Sequence, residues 1–190
     1  MRIVGGRHRG RRLVAPPGDQ VRPTSDRARE ALFNILSHGD FAAAGSPIAN
    51  ANVLDAFAGT GALGIEALSR GAARAVFIET DRTALGALRR NLTALDEEDA
   101  TDVIAGDATR PPRAPYAAAL AFLDPPYRSG LAAPALTALA GMGWLAPHAL
   151  VIVELAAKEP FSAPEGFAMI DERRYGAARL VFLRRQGERR

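Results

Sequence analysis

Cysteine is absent from this 190-residue chain. That excludes disulfides, thiolate zinc sites and iron–sulfur clusters, and it is consistent with a reducing cytoplasm. Histidine is nearly as scarce: His8, His38 and His148 are scattered without metal-ligand spacing, so no metal is expected. No apolar run approaches the roughly 20 residues of a membrane helix. The basic N-terminus is followed by no apolar stretch of the kind a secretory signal needs. A cytoplasmic monomer with no membrane partner is expected. Lysine is reduced to Lys158 alone, so a general preference for arginine accounts for part of the basic character. With 48% apolar and 24% charged residues, the chain is an ordinary globule, long enough for one domain with a real core.

The charge that is present is unevenly placed. Residues 1–30 hold eight arginines against three acids, a local excess of +5 that leaves the remaining 160 residues at −2. A basic head on a mildly acidic body suits a polyanionic partner, although a solvated basic arm would carry the same charge.

Along the chain, Arg2–Val4 and Arg12–Ala15 read as two short strands around a glycine-containing turn. A loop with Pro16, Pro17, Gly18 and Pro23 follows. Thr24, Ser25 or Asp26 caps a helix through about Ser37, with Ala28, Leu32, Ile35 and Leu36 on one face. After a loose connector over Phe41–Ala51, strands and helices alternate. Strands are expected at Val53–Ala56, Ala75–Glu79, Thr101–Ala105, Ala117–Leu123 and Leu150–Leu155. Helices are expected at Ala62–Arg70, after Asp81 with Leu85, Leu88, Leu92 and Leu95 in register, and over about Ser129–Gly141. Phe167–Arg174 and Arg179–Arg184 form a closing hairpin across Tyr175-Gly176. The pattern predicts a doubly wound α/β fold, mostly parallel with an antiparallel closing pair, and a ligand outside the carboxyl ends of the strands.

The motifs lie at those ends. Asp55-Ala56-Phe57-Ala58-Gly59-Thr60-Gly61 opens a G-x-G-x-x-G loop between the first strand and its helix, and Glu79 ends the next strand, 20 residues beyond Gly59. A loop of this kind lets a ligand approach the backbone, and the carboxylate can accept two ribose hydroxyls. This much suits a dinucleotide or S-adenosylmethionine. A carboxylate at Asp55 would oppose a pyrophosphate by about 4 kcal/mol at 4 Å and an effective dielectric of 20, and it would attract a sulfonium. The balance therefore favours S-adenosylmethionine; the same aspartate could also simply cap the turn. Asp107, followed by Ala108 after the third strand, can accept the adenine amino hydrogens or serve as a polar turn residue.

Asp124-Pro125-Pro126-Tyr127 follows the fourth strand, 69 residues after Asp55. Alone it is a stiff turn. Beside the glycine loop it reads as an amine pocket. Prolines fix φ and donate no N–H, so carbonyls in a rigid loop remain available as acceptors. Asp124 and the Pro125 carbonyl can hold both hydrogens of an exocyclic NH2, and Tyr127 offers a face for base stacking worth roughly 1–3 kcal/mol. An aromatic amine is a poor nucleophile, and acceptors placed out of the ring plane aim its lone pair.

V-L-D-A-F-A-G-T-G-A-L-G-I-E-A-L-S-R-G-A, F-L-D-P-P-Y and the opening R-I-V-G-G-R-H-R-G-R-R-L with R-P-T-S-D-R-A-R-E-A-L-F-N-I-L closely resemble the RsmD family of bacterial 16S ribosomal RNA guanine-N2 methyltransferases. The similarity extends to the closing R-R-Y-G-A-A-R-L-V-F-L. It implies a class I methyltransferase sheet with a terminal antiparallel strand and a small N-terminal β-hairpin. Residues 1–22 would be the basic hairpin and loop extension, and residues 23–190 the methyltransferase domain. It also implies S-adenosylmethionine as donor, S-adenosylhomocysteine as product, no metal, and a guanine of 16S ribosomal RNA, within the small subunit, as acceptor. Asp124, Pro125, Pro126 and Tyr127 take the amine-site roles. Asp55, Gly59 and Gly61 take the cofactor-loop roles, together with Ala56, Phe57, Ala58 and Thr60 of the same loop. Glu79 takes the ribose role, and Asp107 with Ala108 the adenine role. Arg7, Arg9, Arg11 and Arg12 are the expected RNA-phosphate contacts. Three rivals stand beside this reading: an amino methyltransferase acting on adenine or cytosine of DNA or other RNA, a nicotinamide-dependent oxidoreductase, and a silent RNA-binding protein on the same fold. Lack of space for a further recognition region, Asp55 with the missing proton relay, and the intact D-P-P-Y oppose them in turn.

Overall fold

The computed structural model describes residues 1–15, 26–38, 40–42 and 45–187. The expected Pro16–Pro23 loop and the caps Thr24 and Ser25 lie outside the described residues, as does the proposed boundary after residue 22. Helix α1 spans Asp26–His38. Alternating elements follow: β1 (Asn52–Ala56), α2 (Ala62–Ser69), β2 (Arg74–Glu79), α3 (Arg82–Leu95), β3 (Thr101–Ala105), β4 (Ala118–Leu123), α4 (Ala132–Gly141), β5 (Leu145–Ala156), β6 (Phe167–Tyr175) and β7 (Ala178–Arg185).

The seven strands form one sheet in the order β3-β2-β1-β4-β5-β7-β6. Strands β1 to β5 pair in parallel, and β7 runs antiparallel to both β5 and β6. The order reverses between β1 and β4, where crossovers leave in opposite directions and open a crevice at the carboxyl ends. Both faces are covered, as the near-continuous apolar runs of β1, β2 and β4 require. One face packs Leu32, Phe33 and Leu36 of α1, Ile65 and Leu68 of α2 and Leu88 and Leu92 of α3 against Val53, Phe77 and Phe122. The other packs Ala135, Leu136 and Leu139 of α4 and Trp144 against Leu54, Ile78 and Val153.

Two boundaries differ from expectation for local reasons. Helix α4 starts at Ala132, not Ser129, because the Ser129 N–H bonds the Pro126 carbonyl at 3.2 Å and Gly130 turns with φ +69°. Strand β5 starts at Leu145, because Ala118 of β4 pairs with Leu145 across an irregular register before regular pairing resumes at Leu150.

The N-terminal hairpin is present in a reduced form. Arg2 and Arg12 make a single antiparallel bridge, supported by Ile3 N–H to Arg11 O at 3.0 Å and Gly10 N–H to Ile3 O at 2.8 Å. Ile3 and Leu13 are buried in the core over α2 and α3. Buried polar groups staple this arm in place. Glu66 accepts the Val4 N–H at 2.9 Å, and Ser69 Oγ accepts the His8 N–H at 2.9 Å and donates to Gly5 O. Asn91 accepts the Val14 N–H at 2.7 Å and donates to Val14 O and Thr60 O. The tip of the arm therefore lies at the C-terminal ends of α2 and α3, roughly 12–20 Å down the helices from the carboxyl edge of the sheet.

Candidate active site

The glycine loop and the D-P-P-Y loop leave adjacent strands. Ala56 pairs with Leu123 across β1 and β4, and the Asp124 N–H donates to Ala56 O at 3.3 Å. The first turn of α2 is entered through Gly61 at φ +81°, and a Cβ there would stand 2.3 Å from Leu88 Cδ1. Only glycine fits this corner. Phe57 holds φ +59° without being a glycine, a strained conformation of the kind that collects at ligand sites.

Asp55 is 1% exposed and its Oδ2 accepts the Gly64 N–H at 2.8 Å, so it caps α2. Burial pushes its carboxyl up from 3.8 to about 8, against the lowering effect of the Gly64 bond and with a smaller push from Glu79. This corrects the electrostatic expectation. Near neutral pH the buried group keeps its proton, so Asp55 alone does not set a negative charge against a pyrophosphate. Glu79 ties the loop to β2. Its Oε2 accepts the Gly59 N–H at 2.7 Å, and its Oε1 accepts the Thr80 and Asp81 N–H groups at 2.7 and 2.8 Å.

Two adjoining cavities open here. The outer one, about 280 Å³, is lined by Glu79, Thr80, Asp124, Pro125, Pro126, Tyr127 and Glu154. The inner one is lined by Asp55, Ala58, Thr60, Leu63 and Arg29, among others. Phe57, Gly59 and Asp124 belong to both walls. A larger open hollow of about 890 Å³, lined by Met142, Pro147, His148 and Arg185 among others, gathers none of the motif residues.

The Tyr127 hydroxyl donates to Glu154 Oε1 at 3.0 Å, and the Arg128 N–H to Glu159 Oε2 at 2.8 Å. Glu154 and Glu159 are 5% and 7% exposed. Two buried acids thus clamp the loop after the prolines. The Pro126 carbonyl is taken by the Ser129 N–H, so the expectation that the loop's carbonyls stay open does not hold for that one.

The structure does not bring every expected residue to the crevice. Ala56 and Ala108 are buried side chains of the core beside α4. Asp107 lines neither cavity. Hydrogen bonds from the Thr109 hydroxyl and N–H, with Arg110 beyond them, hold its carboxyl below the usual range. These bonds are those of a polar turn residue, one of the two roles the sequence allowed. Arg9, Arg11 and Arg12 are exposed on the arm. Arg7 is instead clasped: Nη2 bonds both oxygens of Glu97, at 2.5 and 2.6 Å, with His8 Nε2 at 2.6 Å from the same carboxylate.

Sequence reasoning missed Glu154 and Arg29. Both had a signal: Glu154 is a lone acid in V-I-V-E-L, and Arg29 sits at i with Leu32, Phe33 and Leu36 at i+3, i+4 and i+7, on the apolar stripe of α1.

Among the described residues no group of three or more histidines and acids could hold a metal, and no helix is long and apolar enough to cross a membrane.

Comparisons with known proteins concern the family and the fold. The family described as Conserved hypothetical protein 95 matches residues 1–184. A curated relative, Ribosomal RNA small subunit methyltransferase D of Escherichia coli strain K12, is 39% identical over 99% of this chain and 92% of its own length. The solved structure of yhhF from Escherichia coli superposes with a TM-score of 0.83 at 36% identity, covering 99% of both chains. An RNA methyltransferase from Salinibacter ruber, solved with S-adenosyl-L-homocysteine, shares the fold at 16% identity and a TM-score of 0.65, over 88% of this chain and 96% of its own.

Proposed function

Since the chain belongs to the family described as Conserved hypothetical protein 95, the RsmD family, we propose that it methylates the exocyclic N2 amine of a guanine in 16S ribosomal RNA, with the small subunit as substrate and S-adenosylmethionine as donor. The observation that carries the reading is the shared wall: Asp124 at the mouth of the amine pocket also lines the cavity of the glycine loop.

The residues present suit that cofactor. Gly59 has no atom within 4 Å of the place a Cβ would take, so the loop backbone is open to close approach. The donor set, Glu79 on one side and Arg29 on the other, matches a ligand with hydroxyls at one end and a zwitterion at the other. When bound, S-adenosylmethionine supplies a methyl group on a sulfonium, whose departure as a neutral thioether needs no acid. Glu79 would hold the ribose, and Gly59 and Phe57 the centre of the ligand.

The chain's own work is positioning. The Asp124 carboxylate and the Pro125 carbonyl accept the two amine hydrogens and turn the nitrogen lone pair toward the donor side. The Tyr127 ring stacks on the base, with its hydroxyl end anchored by the bond to Glu154. The guanine nitrogen would gain the methyl and give up one proton, through the Asp124 carboxylate or to water after transfer. Arg9, Arg11 and Arg12 of the stapled arm bind RNA phosphate. Arg7, already paired with Glu97, holds the arm in place.

The test is methyl transfer from labelled S-adenosylmethionine to small ribosomal subunits, free 16S RNA and duplex DNA, with the product nucleoside identified by mass spectrometry. N2-methylguanosine from the subunit or the RNA is expected. A methylated adenine or cytosine from DNA would overturn the proposal.

A further inference from the structure

Asn91 is 2% exposed on the buried face of α3, beside Leu88 and Leu92. A polar side chain costs stability there unless its groups are paired. They are paired here, and the partners come from two separate parts of the chain. Oδ1 accepts the Val14 N–H at 2.7 Å, while Nδ2 donates to Val14 O at 3.2 Å and to Thr60 O at 3.1 Å. Val14 stands at the base of the basic arm, two residues after Arg12. Thr60 belongs to the glycine loop and lines the inner cavity with Gly59. One buried amide thus joins the arm to the loop.

The Thr60 bond falls where the loop backbone most needs holding. Gly59 and Gly61 have φ +55° and +81°, and glycine restricts its own backbone least. The loop is clamped from two sides. From β2, Glu79 accepts the Gly59 N–H at 2.7 Å. From α3, Asn91 takes the Thr60 carbonyl, while the N–H of the same peptide unit, that of Gly61, donates to Ala58 O at 2.8 Å. The Thr60–Gly61 peptide plane is therefore held at both edges. Two of the three Asn91 bonds go to the arm. Without them the amide keeps one partner and is free to turn about a torsion that is intrinsically broad. We propose that Asn91 is a positioning residue that makes affinity for S-adenosylmethionine depend on the seating of the basic arm. The inference rests on the cofactor reading of the preceding subsection and adds a regulating contact to it. Because such coupling is reciprocal, cofactor in the loop would in turn favour the seated arm.

The test is a double-mutant cycle that needs no turnover. Isothermal titration calorimetry measures S-adenosylmethionine binding to full chains that circular dichroism shows to be folded at the working temperature. Val14→Pro removes the N–H that Asn91 accepts and alters no residue lining either cavity. It should weaken cofactor binding roughly 3- to 10-fold, the effect of one hydrogen bond. Asn91→Ala should weaken binding at least as much, and in that background Val14→Pro should change affinity by less than about twofold. Asn91→Ser, too short to bridge, and Gly6→Ala, which disturbs the arm at its tip, stand in for either variant that does not fold. Unchanged affinity on disturbing the arm would overturn the proposal. Equal losses with and without Asn91 would carry the effect by another route, such as Met1 in the inner cavity wall, and would overturn it too. An Asn91 that served stability alone would lower Tm and leave the cycle additive. Failure of the wild type to bind any adenosyl ligand would instead overturn the cofactor reading itself.

Discussion

Tyr127 and Glu154 are joined by a 3.0 Å hydrogen bond from the end of the amine-site loop to the interior strand β5. The bond anchors the hydroxyl end of the ring, so two properties of Tyr127 can be separated by substitution. Tyr127→Phe keeps the stacking face and loses the anchor, which is worth about 1 kcal/mol, or roughly fivefold in kcat/KM. Tyr127→Ala loses the face as well, with a further roughly 5- to 150-fold expected from stacking. Steady-state methyl transfer to the RNA substrate measures both. Equal losses in the two variants would mean that the ring does not stack.

Asp124→Ala removes an acceptor from the amine and leaves most of the donor cavity intact. Turnover should fall by roughly 10³-fold or more, while calorimetric affinity for S-adenosylmethionine changes by less than about tenfold. A variant with normal turnover would remove Asp124 from the chemistry.

Asp55 makes folding stability depend on pH with a definite sign. Its folded-state carboxyl titrates at about 8 instead of 3.8, chiefly through burial. Between those values the folded chain holds a proton that the unfolded chain has released. Its favourable contribution is thus complete at acid pH and is lost as pH climbs toward about 8. Asp55→Asn cannot ionise and should lack this slope. Thermal unfolding from pH 5 to pH 9 should show the wild-type Tm falling relative to the variant. A Tm difference that stays constant across that range would show that Asp55 is ionised throughout.

The arm arginines should divide into two kinds. Replacing Arg9, Arg11 and Arg12 by alanine should weaken RNA binding and flatten the slope of log affinity against log salt by about 2, if each meets one single-stranded phosphate. Arg7→Ala should lower Tm with little change in that slope, because its charge is already matched by Glu97. Filter binding at several salt concentrations with parallel melting curves reads both. An unchanged slope in the triple variant would remove the arm from the RNA interface.

Gly6 is the tightest point of the arm. It has φ +73°, and a Cβ there would lie 1.8 Å from the Ser69 carbonyl oxygen. Gly6→Ala should lift the arm from α2, lowering Tm and weakening RNA binding together. Normal RNA binding with a normal Tm would show that the contact is dispensable.

Much of this was legible in the chain because the informative residues sit where periodicity changes. The seven strands, the closing hairpin and the loop ends at Asp55, Glu79 and Asp124 follow from runs, glycines and prolines, which act locally. What escaped was set by long-range packing. Nothing local shows that Arg7 meets Glu97, 90 residues away. The charge at Asp55 escaped for a similar reason. The residue type was readable, but its protonation depends on how completely the surrounding chain closes over it. Glu154 and Arg29 were readable as polar interruptions of apolar patterns, a signal that says a group is buried without saying what it faces.

The staples of the arm also order events during synthesis. Residues 1–15 leave the ribosome before their anchors, Glu66, Ser69, Asn91 and Glu97, are made. The arm has no seat until α2 and α3 have been translated and have packed on the sheet, and closing loops of this length makes it a late step. A chain that has not yet made α2 and α3 thus carries residues 1–15 without the groups that hold them.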